Sequence, residues 1–382
     1  MHAELKQSAV RILKIHPGEL RLQTTLKCGQ SFRWIRVATE EESQVMFRCA
    51  LAGRVITLTQ NSAEIGYSST FPAGHVGTDN TPEILKDYFN LSVDLEALYK
   101  HWSSRDAHFR TVSQAFLGLR MLRQDPFENL LSFICSSNNN IARITQMVQN
   151  LCKHYGKQIA VIDGHAYYDF PRVQDLLHNS LDQELRALGF GYRAKFIAAT
   201  ARQLSEKPPD FLQSLRSKDY AEAHAELMKF MGVGAKVADC VCLMSLDKHQ
   251  AVPIDTHVMQ IAQRDYKFRG KDSAMTKVLY DRIKNFFIEL WGPYAGWAHS
   301  VLFTADLRTF QTDGRQIVVK KEVKDVFSKT EADLPNSSAS IEVEQSLLVD
   351  LAAVQNIKRE GSPDSMGPRA KRRQKRDLFS GR

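Results

Sequence analysis

Phe230-Met231-Gly232-Val233-Gly234-Ala235-Lys236, followed nineteen residues on by Asp255 in Val252-Pro253-Ile254-Asp255-Thr256-His257, decides how this chain is read. It reads as a helix, a two-glycine hairpin, a second helix that opens with a lysine, and a loop carboxylate. A lysine in the first turn of a helix feels the positive end of the helix dipole, which disfavours the ammonium and favours the neutral amine a nucleophile must be. An unperturbed lysine is almost wholly protonated near neutrality and is a poor nucleophile, so position could supply the activation. Gly-x-Gly is common, and a lone lysine near a helix start is ordinarily a solvated surface residue. What counts is the sum: the hairpin glycines, Lys236 two residues after the second of them, apolar Val237, Cys240, Val241 and Leu243 behind it, and Asp255 in a proline-containing loop.

Further segments fall in order along the chain. They are Cys28-Gly29-Gln30-Ser31-Phe32-Arg33-Trp34, Arg123-Gln124-Asp125-Pro126, Ser136 to Ile144, Leu188 to Ala194, and Trp291 to Ala298. With the hairpin they resemble the helix-hairpin-helix, glycine/proline-rich loop and aspartate superfamily of DNA glycosylases. Within it they are most similar to the eukaryotic 8-oxoguanine DNA glycosylase/AP lyase family, from about residue 12 to about residue 310.

Composition alone says less. The chain has 382 residues, 43% of them hydrophobic, enough for two or three domains. A formal charge of +8 favours a polyanionic partner over a cationic one. Cysteines at 28, 49, 135, 152, 240 and 242 are too scattered for a metal-ligand framework, and the four-cysteine iron–sulfur cluster of some superfamily members is missing, so no zinc, cluster or other cofactor is expected. No signal-like N-terminus and no run of eighteen apolar residues is seen, so an intracellular protein with reduced cysteines and no membrane contact is expected.

From about 18 to 70 apolar residues alternate, as in Val45-Met46-Phe47-Arg48-Cys49 and Val55-Ile56-Thr57-Leu58, which argues antiparallel strands turning at Gly53. Thr81-Pro82-Glu83 reads as a helix start with threonine as cap. From there to about 310 the period is helical, broken at Gly156, Asp163-Gly164, Gly189, Lys207-Pro208-Pro209 and Gly270. The fold class is therefore α+β: a strand-rich antiparallel N-terminal domain at 1–120, TATA-binding-protein-like by the resemblance, then an all-helical helix-hairpin-helix core at 121–315. The resemblance also implies a second helical lobe that reaches back before residue 120. Residues 316–382 read as a mostly disordered tail. In it Ile341 to Ile357 could form an amphipathic helix on meeting a protein partner, and Arg369 to Arg376 carries six cations in eight residues, a pattern of nuclear import or of a nonspecific DNA arm. Import is favoured, hence a nuclear protein. Lys6, Arg11 and Lys14 beside Glu4 make a weak transit pattern and leave a mitochondrial form open.

The resemblance assigns roles residue by residue. Enzymes acting on a base in a duplex must extrude it into a pocket. Lys236 is the nucleophile that attacks the sugar C1′ and leaves an imine competent for β-elimination. Asp255 stabilises positive charge on the sugar, and it also suits an ordinary helix N-cap. The Gly29 carbonyl accepts the N7 hydrogen of 8-oxoguanine, where guanine has only a lone pair. Cys240 and Phe303 sandwich the base, with Met244 and His299 in the same pocket. Asn138, Arg143 and Arg193 meet the opposite cytosine, and Tyr192 is the wedge. Gly232, Gly234 and His257 lie at the DNA backbone, with Asp306 orienting His257 and the main chain of Met228, Phe230 and Val233 at an ion site. Three positions depart from the pattern: Met231 for a proline, Ala235 for a threonine, and His299 for a glutamine that contacts the Watson–Crick edge. The expected partner is double-stranded DNA containing an oxidised purine opposite cytosine, bound by a monomer. A monofunctional alkylbase glycosylase, using Asp255 with no need of Lys236, and a noncatalytic hairpin DNA-binding protein are the alternatives.

Overall fold

The structure, a computed structural model, describes residues 5–16, 18–41, 43–268, 276–307 and 310. The tail segments at 341–357 and 369–376, and Gly270, lie outside them.

The alternating stretch forms one antiparallel sheet. Its strands are β1 (Lys6–Gln7), β2 (Arg11–Leu13), β3 (Ile35–Val37), β4 (Val45–Leu51), β5 (Arg54–Gln60) and β6 (Ile65–Phe71), in the order β1-β6-β5-β4-β3, with β2 on the same edge of β6 as β1. The sheet thus begins before residue 18. Sequence alternation missed β1 and β2 because they are two and three residues long. Ala52 and Gly53, with φ of 52° and 75°, make the tight β4–β5 turn. Phe47 and Cys49, Ile56 and Leu58, and Ile65 and Tyr67 alternate onto one face, where they pack on Leu22, Leu26, Leu85 and Phe89.

Thr81 does not cap its helix. The Thr81–Tyr88 helix has Asn80 at its N-cap without a side-chain bond, while the buried Thr81 hydroxyl meets Ser69 Oγ at 2.6 Å and accepts from Arg54 at 3.0 Å. Burial against the sheet outcompeted local capping. The helical reading from 81 to 310 also needs correction. Gln158–Ile162 (β7) and His165–Tyr168 (β8) form a hairpin whose turn is Asp163 and Gly164, with φ of 51° and 74°. Those residues were read as helix breaks but form a strand-to-strand turn. Ile159, Ala160 and Tyr167 pack with Ala50 and Val55, so the hairpin closes the other face of the sheet.

The remaining chain is helical, around a core that includes Leu95, Trp102 and Phe109 as well as Val241, Phe287 and Val301. Trp102 Nε1 donates to the Trp291 carbonyl at 3.2 Å, and Trp291 Nε1 donates to Asp106 at 3.0 Å. Residues ahead of 120 are thereby fastened to the Lys277–Trp291 helix. No helix among the described residues is long and apolar enough to cross a membrane.

Candidate active site

The Tyr220–Leu227 helix, the turn at 228–234 and the Ala235–Ser245 helix are the helix, hairpin and helix read from sequence. Gly232 has φ of +82°, and a Cβ there would lie 2.5 Å from the Phe196 ring, so both backbone and packing require glycine. Gly234 is the N-cap, which puts Lys236 at the second helical position, inside the first turn. Met228 and Met231 stand exposed on the turn, and the Phe230 carbonyl accepts the Val233 N–H at 3.2 Å. Of the three main-chain groups expected at an ion site, one is therefore already engaged. Among the described residues no group of three or more His, Cys, Asp or Glu side chains could hold a metal ion.

The Lys236 amine donates to Ser136 Oγ at 3.3 Å and lies 5.1 Å from the centre of the Phe133 ring. Asp255 is the N-cap of the Thr256–Asp265 helix, accepting the Val258 N–H at 3.0 Å. Both side chains line one cavity of about 800 Å³ together with Gly29, Cys240, Met244, His257, His299 and Phe303. Residues more than 270 positions apart in sequence are thus brought to one space.

Gly29 is held from behind. The Gln30 amide donates to the Thr25 and Arg120 carbonyls at 3.0 and 2.9 Å and its oxygen accepts the Leu122 N–H at 2.9 Å, while Gln124 donates to the Gln30 carbonyl at 2.7 Å. Gly29 itself has φ of +88°, and a Cβ would stand 2.9 Å from Ile141 Cδ1. Cys240 and Cys28 are buried thiols, pushed up to about 12 and about 11 by desolvation, Lys236 pulling Cys240 and Gln30 pulling Cys28 the other way. Both are therefore neutral thiols near pH 7.

His299 is 7% exposed, and neither ring nitrogen has a hydrogen-bond partner. Burial lowers its pKa to about 4; Asp255 opposes that shift and Lys236 adds to it, so near neutrality the imidazole is uncharged. Phe303 lies 6.1 Å away, its ring tilted by 33°. His257 Nδ1 stands 3.5 Å from Asp306, whose other oxygen accepts from Arg264 at 2.9 Å, so the expected His257–Asp306 pairing is present.

A second group, Asn138, Arg143, Tyr192 and Arg193, gathers at the Ser136–Asn140 loop without lining the cavity, although Ser136, Asn139 and Asn140 of that loop do line it. Asn138 is exposed with φ of +47°. The Arg193 guanidinium donates to the carbonyls of Ser137 and Asn138, and Tyr192 OH donates to the same Ser137 carbonyl at 3.0 Å. Arg143 donates to the Gly189 carbonyl at 3.3 Å. Tyr192 is half exposed and meets the Phe196 ring edge-on at 5.7 Å.

The 8-oxoguanine DNA glycosylase N-terminal domain model matches residues 12–130, and the model of HhH-GPD superfamily base excision DNA repair proteins matches residues 131–284. An N-glycosylase/DNA lyase of Saccharomyces cerevisiae is 36% identical over 84% of this chain and 92% of its own. The chain belongs to the N-glycosylase/DNA lyase family. The N-glycosylase/DNA lyase OGG1 of Arabidopsis thaliana is 37% identical over 78% of this chain and 81% of its own. Among solved structures, a Clostridium acetobutylicum 8-oxoguanine glycosylase/lyase, in complex with double-stranded DNA containing cytosine opposite 8-oxoguanine, aligns with a TM-score of 0.64 at 30% identity. The alignment covers 75% of this chain and 91% of that one. The present N-glycosylase/DNA lyase is accordingly a bifunctional enzyme of base excision repair.

Some residues of this N-glycosylase/DNA lyase escaped the sequence reading as site residues. Ser136 and Phe133, which contact the lysine, were not singled out. Gln30 was quoted only as part of a motif. A signal existed for Gln30, since an amide directly after a glycine turn suits a backbone brace. Phe133 carried none, because its contact crosses a hundred residues.

Proposed function

We propose that this lyase excises 8-oxoguanine and related oxidised purines opposite cytosine. The observation that carries the reading is the single cavity shared by Lys236, Asp255, Gly29, His299 and Phe303. The solved Clostridium relative supports it, being an 8-oxoguanine glycosylase/lyase bound to a duplex with cytosine opposite that lesion. In this reading the Lys236 amine bonds to C1′ as the C1′–base bond breaks and its electron pair leaves with the base, which takes up a proton; nitrogen then gives up its protons as the C1′–O4′ bond opens, the sugar oxygen taking one, and an imine forms. The Asp255 carboxylate stabilises the positive charge that develops on the sugar. The resulting imine acidifies the C2′ hydrogens, and loss of one expels the 3′ phosphate. The base is chosen at Gly29, whose carbonyl gains a bond only from a purine that carries hydrogen on N7.

Borohydride trapping on an 8-oxoguanine·cytosine duplex tests this. Wild type should give a covalent adduct and Lys236→Gln none; an adduct at wild-type yield from the variant overturns the nucleophile. We also propose the division at 1–120, 121–315 and 316–382, with a nuclear-import signal at 369–376. Deleting 321–382 should leave single-turnover excision nearly unchanged while moving the protein out of the nucleus.

A further inference from the structure

Three residues beyond Lys236, on the same helix, Asp239 is completely buried without lining the cavity. A buried carboxylate is costly unless hydrogen-bonded, so its partners are informative. Tyr220 OH donates to one oxygen and Tyr280 OH to the other, both in short contacts. Lys284 donates to Tyr220 OH at 3.1 Å, and its ammonium lies 5.2 and 5.7 Å from the centres of the Tyr220 and Tyr280 rings. His224 Nε2 stands 3.8 Å from Asp239. The carboxylate therefore ties the Lys236 helix to the hairpin's first helix through Tyr220 and to the Lys277–Trp291 helix through Tyr280.

The two tyrosines differ in one respect. Tyr280 OH also accepts the Ile254 N–H, at 3.3 Å, and Ile254 is the residue immediately before Asp255. Ile254 and Val252 are buried, so this amide has no water to turn to, and losing its acceptor would leave a buried donor unpaired. One hydroxyl thus joins the helix that carries the amine to the loop that carries the carboxylate. Tyr220 has no such second contact.

We propose that Asp239 and Tyr280 are positioning residues for the reaction: Asp239 holds Tyr280, and Tyr280 holds the Ile254–Asp255 backbone at a fixed distance from Lys236. The inference rests on the catalytic roles given above to Lys236 and Asp255. It places specific weight on a link that ordinary core packing would not need, and an error of about 1 Å between reacting groups can cost a hundredfold in rate.

The test is single-turnover excision from an 8-oxoguanine·cytosine duplex by the full chain, with duplex affinity and borohydride trapping measured alongside. Tyr280→Phe should slow excision about tenfold to a hundredfold while affinity stays within about twofold. Tyr220→Phe, which also removes one hydrogen bond to Asp239, should cost at most a few fold. In an Asp255→Asn background Tyr280→Phe should add almost nothing, because its effect passes through Asp255. Equal losses from the two tyrosine variants, an undiminished rate, or full additivity with Asp255→Asn would each overturn the proposal. Should Tyr280→Phe not fold, Asp239→Asn replaces it: the amide offers one acceptor to two hydroxyls, and the same non-additivity is expected, with additivity overturning the idea. An adduct persisting in Lys236→Gln would sink the catalytic reading and this inference together. An adduct confined to Lys236, beside a full-rate Tyr280→Phe, sinks the inference alone.

Discussion

The cavity around Lys236 and the loop cluster around Asn138 are both given to DNA in the proposed reading, yet the cavity's His299 and the loop's donors to backbone carbonyls stand in opposite states. In the cavity, His299 is buried with both ring nitrogens unpartnered. At the loop, Arg193, Tyr192 and Arg143 already donate to the carbonyls of Ser137, Asn138 and Gly189. An unmade bond in a buried site costs free energy that an entering ligand can recover, whereas a made bond must be exchanged for another. On the proposed reading an entering base meets the unpartnered His299 in the cavity, whereas the loop would trade partners to read the opposite strand. The proposed reading thus gives selection of the lesion and selection of its pairing partner different energetics.

The sharpest way to break this contrast is at the amine. Lys236→Gln should still bind damaged duplex and should lose base release altogether, and any measurable single-turnover excision would show that the cavity works without its lysine. Next is Asp255→Asn, expected to slow excision by roughly two to four orders of magnitude. Asparagine is as good an N-cap, so thermal stability should hold; an unchanged rate would leave Asp255 with the cap alone.

His299 offers a stability measurement. Its folded pKa of about 4 lies below the ordinary 6.5, so the unfolded chain binds more protons between those values. The contribution of the neutral imidazole is complete above about pH 6.5 and is lost as pH falls through about 4. The loss amounts to about 3 kcal/mol. Denaturant unfolding of wild type and His299→Gln across that window should show the flatter profile for the variant, and parallel profiles would place the imidazole in water.

The loop side is tested by Arg143→Ala. Preference for cytosine over other opposite bases should shrink by about 1–3 kcal/mol, the scale of one base-edge contact, whereas a uniform loss on all pairings would make Arg143 a backbone contact. The smallest effect is kinetic. Imidazole carries its donor and acceptor on opposite sides and cannot turn both to one purine edge, as a glutamine amide can. His299→Gln should therefore gain one hydrogen bond, about 0.5–1.5 kcal/mol, and raise 8-oxoguanine excision up to roughly tenfold without raising excision of guanine. A fall would mean that the pocket is built around the histidine.

Sequence reading reached as far as local chemistry did. The glycines at 232 and 234, the lysine behind them and the carboxylate cap at 255 announce themselves within a few residues, and the structure has them where they were read. The β7–β8 hairpin was lost because Asp163-Gly164 ends a helix as readily as it turns a strand, and the apolar partners that choose between these lie on β4 and β5. Thr81 misled for the same reason: a capping residue before a proline was claimed by Ser69 and Arg54. Nothing local marks Asp239, whose tyrosines sit nineteen and forty-one residues away.

Phe196 fills the space where a Gly232 side chain would be and supports the edge of the Tyr192 ring. One benzene ring thus stands between the hairpin glycine and the exposed tyrosine, and neither can approach the other without displacing it. A narrower residue at 196 would take from Gly232 and Tyr192 the ring that both of them meet, and the spacing between hairpin and tyrosine would no longer be held by it.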